Sequence, residues 1–392
     1  MVYSASAVIA LERFQQPYLF LTKQALWSVL GLAVLGVAMR VDYRTYRNEA
    51  FIWCLLALVL LMLVAVLFSA PVNGTRRWFG VGIFLMLGIA LVDLRFWRRW
   101  AYAVYAVAFA LLIVVEIAGD TGMGAQRWID LGPVGIQPSE MAKVACVFFT
   151  ALMLERRMHR IDDLSYSLLP IGLIIGLVVA LILLQPDFGT SMSLALVVAV
   201  MVFAAGLHYR YFVGLALVAL PAVYLVLVAA PYRRRRLLAF WDPWADPLGD
   251  GFQIIQSLVA VGTGGVFGRG LMGGVQKLFY LPEPHTDFIY AVIGEELGLI
   301  GATAILLCFC VIAWRGLRIS ARAEDVFGSF VALGLTTMIA AQALVNISVV
   351  LGLIPTKGIP LPLVSFGGSS LLINLLGTGV LLNISQHESA DA

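Results

Sequence analysis

Apolar runs close to the ~20 residues that a helix needs to cross the hydrocarbon core of a bilayer recur along the whole chain. Inside a bilayer every backbone polar group must be satisfied by the protein, so runs of this length call for helices rather than barrel strands. Composition agrees: 61% of the 392 residues are hydrophobic and 12% are charged, against ~25% charged in soluble domains. The chain is therefore read as all-α, a polytopic transmembrane helical bundle forming a single integral membrane domain over residues 1–392. No sizeable soluble domain remains, and no nucleic-acid partner is expected. Cys54, Cys146, Cys308 and Cys310 all lie inside apolar runs, where a thiol packs as a small hydrophobe, so neither disulfides nor a metal-thiolate centre is expected. MVYSASAVIALERF lacks a basic n-region and a clear cleavage site, which argues against a signal peptide.

Helices are expected near residues 1–12, 23–40, 51–70, 79–94, 100–118, 139–154, 165–184, 189–206, 211–230, 287–313, 326–352 and 367–385. The first of these twelve candidates is too short for a full span, and the fourth, FGVGIFLMLGIALVDL, is marginal. Basic residues cluster in VDYRTYRNEA, DLRFWRRW, ERRMHR, LHYRYF and WRGLRISARAED, all on one side if the helices alternate. The positive-inside rule makes that side the cytoplasm and puts both termini there. The external side receives NGTRRWFGVG, the loop around GDTGMGAQRWIDLGP, the turn QPDFGT, the large loop 231–286 and LIPTKGIPLPLVSFGGSS. By segment, 1–82 holds N-terminal helices, 83–230 central helices, 231–286 the external loop and 287–392 the C-terminal helices.

Polar residues inside such a chain are expensive, at roughly 2.5–3.5 kcal/mol for a charge near the bilayer centre, and they face the bundle or a wet cavity. In IQPSEMAKV, Pro138 and Ser139 suit a helix start, while Glu140 and Lys143 stand three apart on one face. They fit a bracing ion pair and a cavity wall equally well. Arg127 and Trp128 fit interfacial anchors; followed by Gln137, Glu140 and Lys143 they are also candidates for a lipid-phosphate or sugar site, since the guanidinium fork suits diphosphate. Asp187 in LLQPDFGTS reads as the cap of a helical hairpin.

The loop 231–286 opens with PYRRRRLLAFWDPWADP, a basic and aromatic run that fits a headgroup-facing surface. Nine glycines follow between Gly249 and Gly274, with Gln253, Gln256, Ser257 and Lys277 among apolar residues, which predicts short amphipathic pieces at the interface. Non-helical backbone at IPTKGIPLPLVSFGGSSL survives at membrane depth only inside protein or beside a wet cavity, so a polar cleft is expected there. Asp287, in YLPEPHTDFIYAVIGEELG, starts a helix at the outer mouth with Glu295 and Glu296 two turns deeper. An Asp in that place is either a cap favoured by the helix dipole or a working carboxylate.

Taken together, GAQRWIDLG with IQPSEMAK, LLQPDFGT, FQIIQSLVAVGTGG, KLFYLPEPHTDFIYAVIGEELGLIG and PTKGIPLPLVSFGGSSLL resemble the SEDS family (shape, elongation, division and sporulation) of peptidoglycan glycosyltransferases, typified by FtsW and RodA. The N-terminus, the loop 231–286 and PTKG look like the division branch; LMLGIALVDLRFWRRW through IQPSEMAK looks like the elongation branch. The family has ten spans, and here the motif order restarts: NGTRRWFGVG lacks the QPSE helix that should follow, whereas GAQRWIDLG has it. Function is therefore assigned to Arg127 and Trp128, and Arg77 and Trp78 are left unassigned.

The resemblance implies polymerisation of the lipid-linked disaccharide-pentapeptide lipid II into glycan strands on the outer face of the bacterial cytoplasmic membrane, serving division or elongation complexes. A class B penicillin-binding protein is the implied partner. Asp287 is the implied general base. The implied substrate-binding residues are Arg127, Trp128, Gln137, Ser139, Glu140, Lys143, Gln256, Ser257, Lys277, His285 and Thr286, with Arg127 and Lys143 opposite the departing diphosphate. No fixed cofactor is implied; a divalent cation, Mg or Mn, is a candidate assistant. A lipid II flippase, which would need polar groups toward both faces, and a noncatalytic scaffold are the rival readings.

Overall fold

The computed structural model describes residues 86, 88–90, 92–122, 125–130, 135–214, 217, 221, 231–278, 280–366 and 368–386. The helices expected near 1–12, 23–40 and 51–70, the loop bearing Arg77 and Trp78, and most of those at 79–94 and 211–230 lie outside these residues. The described residues divide into two compact units, one built from 207–311 and 340–366, the other from those between 86 and 206 together with 312–339 and the C-terminal helix.

In the second of these units, α1 (Leu94–Ala118) starts where the Asp93 carboxylate accepts the Arg95 N–H at 2.8 Å. It is antiparallel to α2 (Pro138–Arg157), which has Pro138 at its first position, Glu140 in its first turn and Arg156 and Arg157 in its last, each where the helix dipole favours it. Trp97 stacks on Phe148 at 5.2 Å and Tyr105 meets Phe149 at 4.6 Å. At one end of the pair Arg98 bridges Glu155 at 2.9 Å and Arg156 reaches the Tyr102 hydroxyl at 3.1 Å, so the basic clusters DLRFWRRW and ERRMHR do share an end.

At the opposite end the chain between α1 and α2 forms three short antiparallel strands, β1 (Asp120–Gly122), β2 (Ala125–Asp130) and β3 (Gly135–Ile136). The sequence reading expects only a loop there. A π-helical turn at Leu164–Leu168 leads into α3 (Leu169–Leu184), and α4 (Phe188–Ala204) returns beside it. Asp187 caps α4 by accepting from the Thr190 N–H at 3.1 Å and its hydroxyl at 2.7 Å, as the hairpin reading requires.

In the other unit the large loop is folded. It holds α5 (Pro231–Trp241), a 3-10 turn at Pro243–Ala245 and α6 (Phe252–Gly264), the short pieces expected from its composition. Then comes α7 (Ile289–Arg322), which is longer than the predicted 287–313 because WRGLRISAR, read as loop, continues the helix. It is broken at Gly298, where φ is 64°. α8 (Val326–Val350) and α9 (Gly368–Ser385) flank the non-helical PTKGIPLPLVS segment. α1, the 164–184 helix, α7 and α8 are each long and apolar enough to cross a membrane.

Candidate active site

The glycine-rich segment explains how the break in α7 survives. A helix interrupted at Gly298 leaves carbonyls on one side and N–H groups on the other without helical partners, and such groups are costly away from water. Residues 264–270 supply what is missing. The carbonyls of Glu295 and Glu296 accept from the N–H groups of Arg269 and Gly270 at 3.0 Å each, while the N–H groups of Leu299 and Ile300 donate to the carbonyls of Gly265 and Val266 at 2.9 and 3.3 Å. Backbone meets backbone so closely that a Cβ at Gly264, Gly268 or Gly298 would run into main-chain atoms of the opposite segment.

The side chains of Glu295 and Glu296, both with 0% exposure, complete this clamp. Glu295 accepts from the N–H groups of Val275 at 2.8 Å and Gln276 at 3.2 Å and lies 3.6 Å from the Arg269 guanidinium. Glu296 accepts from the Met272 N–H at 3.2 Å and pairs with the Lys277 ammonium at 2.5 Å. Lys277, expected among the substrate-binding residues, is thus placed in a buried ion pair with a 3% exposed side chain. Ser257 is fully buried and donates to the Val350 carbonyl at 2.8 Å, at the end of α8; Gln256, one residue before it on α6, is half-buried.

Asp287 lies two residues before α7, in a turn that begins at Glu283. Glu283 precedes a proline and has a φ of 51°, a left-handed conformation that β-carbon-bearing residues adopt only where the surroundings impose it. Here the Glu283 carboxylate accepts from the Thr286 hydroxyl at 2.9 Å, and its carbonyl accepts from the N–H groups of Thr286 and Phe288 at 3.3 Å.

Three further bonds tie the turn to the PTKGIPLPLVSF segment and to α8. The His285 carbonyl accepts from the Phe366 N–H at 2.9 Å. The Thr286 carbonyl accepts from the Ser365 hydroxyl at 2.6 Å, whose oxygen in turn accepts the Leu361 N–H at 2.7 Å. The Asp287 carbonyl accepts from the Asn346 amide at 2.7 Å. Three consecutive residues of the HTD triplet are therefore fixed through their main chain.

Asp287 is half-buried, and its carboxylate lies against Gly358, where an added Cβ would come 2.8 Å from Oδ2. The His285 ring leans on Phe366 at 5.8 Å, with its buried Nδ1 unpartnered among the described residues. The sequence reading anticipates Asp287, His285 and Thr286 and misses Asn346, Ser365 and Gly358. Asn346 is a buried amide in a helix long and apolar enough to cross a membrane, as Gln342 is, and such costly polar groups are a usable signal.

The remaining expected residues belong to the other unit and form a second polar group there. Alternation along β2 puts Arg127 and Trp128 on opposite faces. Arg127 donates to the carbonyls of Gln185 at 3.0 Å and Pro186 at 2.5 Å, while Trp128 is 39% exposed. At the start of α2 the Gln137 amide donates to the Ser139 hydroxyl at 3.1 Å, and the Gln137 N–H donates to Ser369 at the start of α9 at 3.3 Å. Lys143 pairs with Glu140 at 2.8 Å, both buried, leaving Glu140 Oε2 unpartnered among the described residues.

Comparison with known proteins agrees with this architecture. The model of the FtsW/RodA/SpoVE family, described as cell cycle protein, matches residues 1–87 and again 79–390; the two matches overlap where the motif order restarts. A probable peptidoglycan glycosyltransferase FtsW of Geobacter sp. (strain M18) is 41% identical over 98% of this chain and 92% of its own length. The stage V sporulation protein E of Bacillus subtilis (strain 168) is 47% identical over 99% and 92%. Among solved structures, one describing how a peptidoglycan synthase complex coordinates polymerization and crosslinking matches with a TM-score of 0.70, at 32% identity over 88% of this chain and 99% of that one. The rod shape determining protein RodA of Thermus thermophilus matches with a TM-score of 0.61, at 28% identity over 88% and 98%. With a family model spanning almost the whole chain and relatives above 40% identity from end to end, this multi-pass membrane protein belongs to the FtsW/RodA/SpoVE family.

Proposed function

We propose that this chain is a peptidoglycan glycosyltransferase that polymerises lipid II, with Asp287 as its general base. The observation that carries the assignment is the HTD turn: a half-buried Asp287 whose main-chain carbonyl, and those of the two residues before it, are bonded to α8 and to the loop after it. A sugar hydroxyl is a weak nucleophile, and a positioned base contributes roughly 10²–10⁴ in rate. Asp287 takes the proton of the acceptor GlcNAc 4-hydroxyl as that oxygen bonds to C1 of the donor MurNAc. The bond from C1 to the diphosphate breaks, and undecaprenyl diphosphate leaves with the electron pair.

Negative charge accumulates on the departing diphosphate and calls for a cation. Arg127 is our candidate in the second unit, because its two bonds go to neutral carbonyls that do not cancel its charge. Lys143 is already matched by Glu140, and we give that pair the bracing role. Among the described residues no three His, Cys, Asp or Glu side chains gather as a metal site; any Mg or Mn would be held by the substrate's diphosphate. The shared basic end of α1 and α2 supports placing that end in the cytoplasm. The likeness to the synthase complex supports a class B penicillin-binding protein as partner.

Reconstitution with lipid II and such a partner tests the reading. Glycan strands are expected from the unmodified protein and, from Asp287→Asn, only at a rate lower by about 10²–10⁴. Normal polymerisation by that variant overturns the base; lipid II translocation without any polymer would instead indicate a flippase.

A further inference from the structure

We propose that Asn346 is a positioning residue for the Asp287 carboxylate, an inference that rests on the assignment of Asp287 as base. Asn346 lies in the last two turns of α8 and is 1% exposed. Its amide nitrogen donates to two main-chain carbonyls at once, to Asp287 at 2.7 Å and to Ile359 at 2.7 Å. Two carbonyl acceptors fix the amide orientation, since the flipped form would set its oxygen against both of them. The Asn346 oxygen is buried and unpartnered among the described residues. Leaving a buried acceptor without a partner is costly, so the site keeps the amide for what its nitrogen holds.

What it holds is the spacing between two pieces of backbone. Asp287 sits on one, and Ile359 follows Gly358 on the other, where even a β-carbon would come 2.8 Å from Asp287 Oδ2. One side chain on α8 thus sets how closely Asp287 and the PTKG segment approach. The wall at 358 is bare backbone because any larger residue would occupy the space of Oδ2. A displacement of about 1 Å at a reacting group can cost ~10² in rate, and Asn346 is the buried side chain that bonds both pieces.

Asn346→Ser and Gly358→Ala in the full-length protein, reconstituted with its partner and lipid II, test this. The first removes the shared donor; the second leaves Asn346 intact and crowds Oδ2. Both are expected to lower kcat per folded molecule by about 10–100-fold, with KM for lipid II changed less than about twofold, because the base moves and the binding groups stay. Folded protein is counted from the monodisperse fraction in detergent, so a loss of folding does not pass for a loss of rate. If Asn346→Ser does not fold, Gly358→Ala alone decides. Normal kcat per folded molecule, or a loss carried by KM, overturns the positioning role. Asp287→Asn is measured beside them: if that variant polymerises normally, the base assignment fails, whereas an inactive Asp287→Asn beside a normal Asn346→Ser or Gly358→Ala condemns this inference alone.

Discussion

Asp287 and the Glu295–Glu296 pair are close neighbours in sequence, yet their surroundings differ. The glutamates are fully buried and held by their side chains: their carboxylates take three N–H groups and face the two cations of the glycine-rich segment. Asp287 is tied to α8 through its main-chain carbonyl, which accepts from the Asn346 amide, and the residue is half-buried. A carboxylate whose oxygens are absorbed by backbone donors is a structural part, because moving its proton would undo the fold around it. The contrast separates what the opening of α7 does for folding from what it does for chemistry.

The largest expected effect is on chemistry. Asp287→Asn is isosteric and preserves the main-chain bonds, so polymerisation from lipid II should fall by about 10²–10⁴ while thermal unfolding in detergent is unchanged. Next comes Glu296→Ala, which strands the Lys277 ammonium in a buried place; breaking such a pair from one side costs about 3–5 kcal/mol, seen as a large drop in unfolding temperature or in folded yield. The double variant Glu296→Gln with Lys277→Met should recover part of that loss. Gly298→Ala forces a side chain into a left-handed residue against the Gly268 backbone, with an expected cost of at least 1–3 kcal/mol in the same unfolding measurement. Smallest is Trp128→Ala: an exposed side chain on the outer face of β2 should shift stability by less than about 0.5 kcal/mol, so any loss of polymerisation there reports substrate binding.

The same contrast shows how much could be read from the chain. The HTDF turn, the Asp187 cap and the need for protein around the PTKGIPLPLVS backbone were legible, because each rests on local chemistry: a cap three residues long, or prolines and glycines that cannot continue a helix. The interruption of α7 was not. Gly298 sits within a continuous apolar run, and its break is stable only because residues 264–270, some thirty positions earlier, offer matching backbone groups. Nothing in either stretch alone announces that pairing. The strands at 120–136 were hidden in a similar way, since they are short and pair with each other. Lys277 looked like a substrate cation for want of knowing that Glu296 faces it.

The central claim is that these acids divide between reaction and fold, and it is tested most directly by polymerisation rate per folded molecule, measured side by side for Asp287→Asn, Glu295→Gln and Glu296→Gln. A loss of about 10²–10⁴ is expected for the first with its unfolding temperature intact, and for the other two a lower unfolding temperature with the rate per folded molecule within a fewfold of normal. A fully active Asp287→Asn, or glutamate variants that fold normally and do not polymerise, would contradict it.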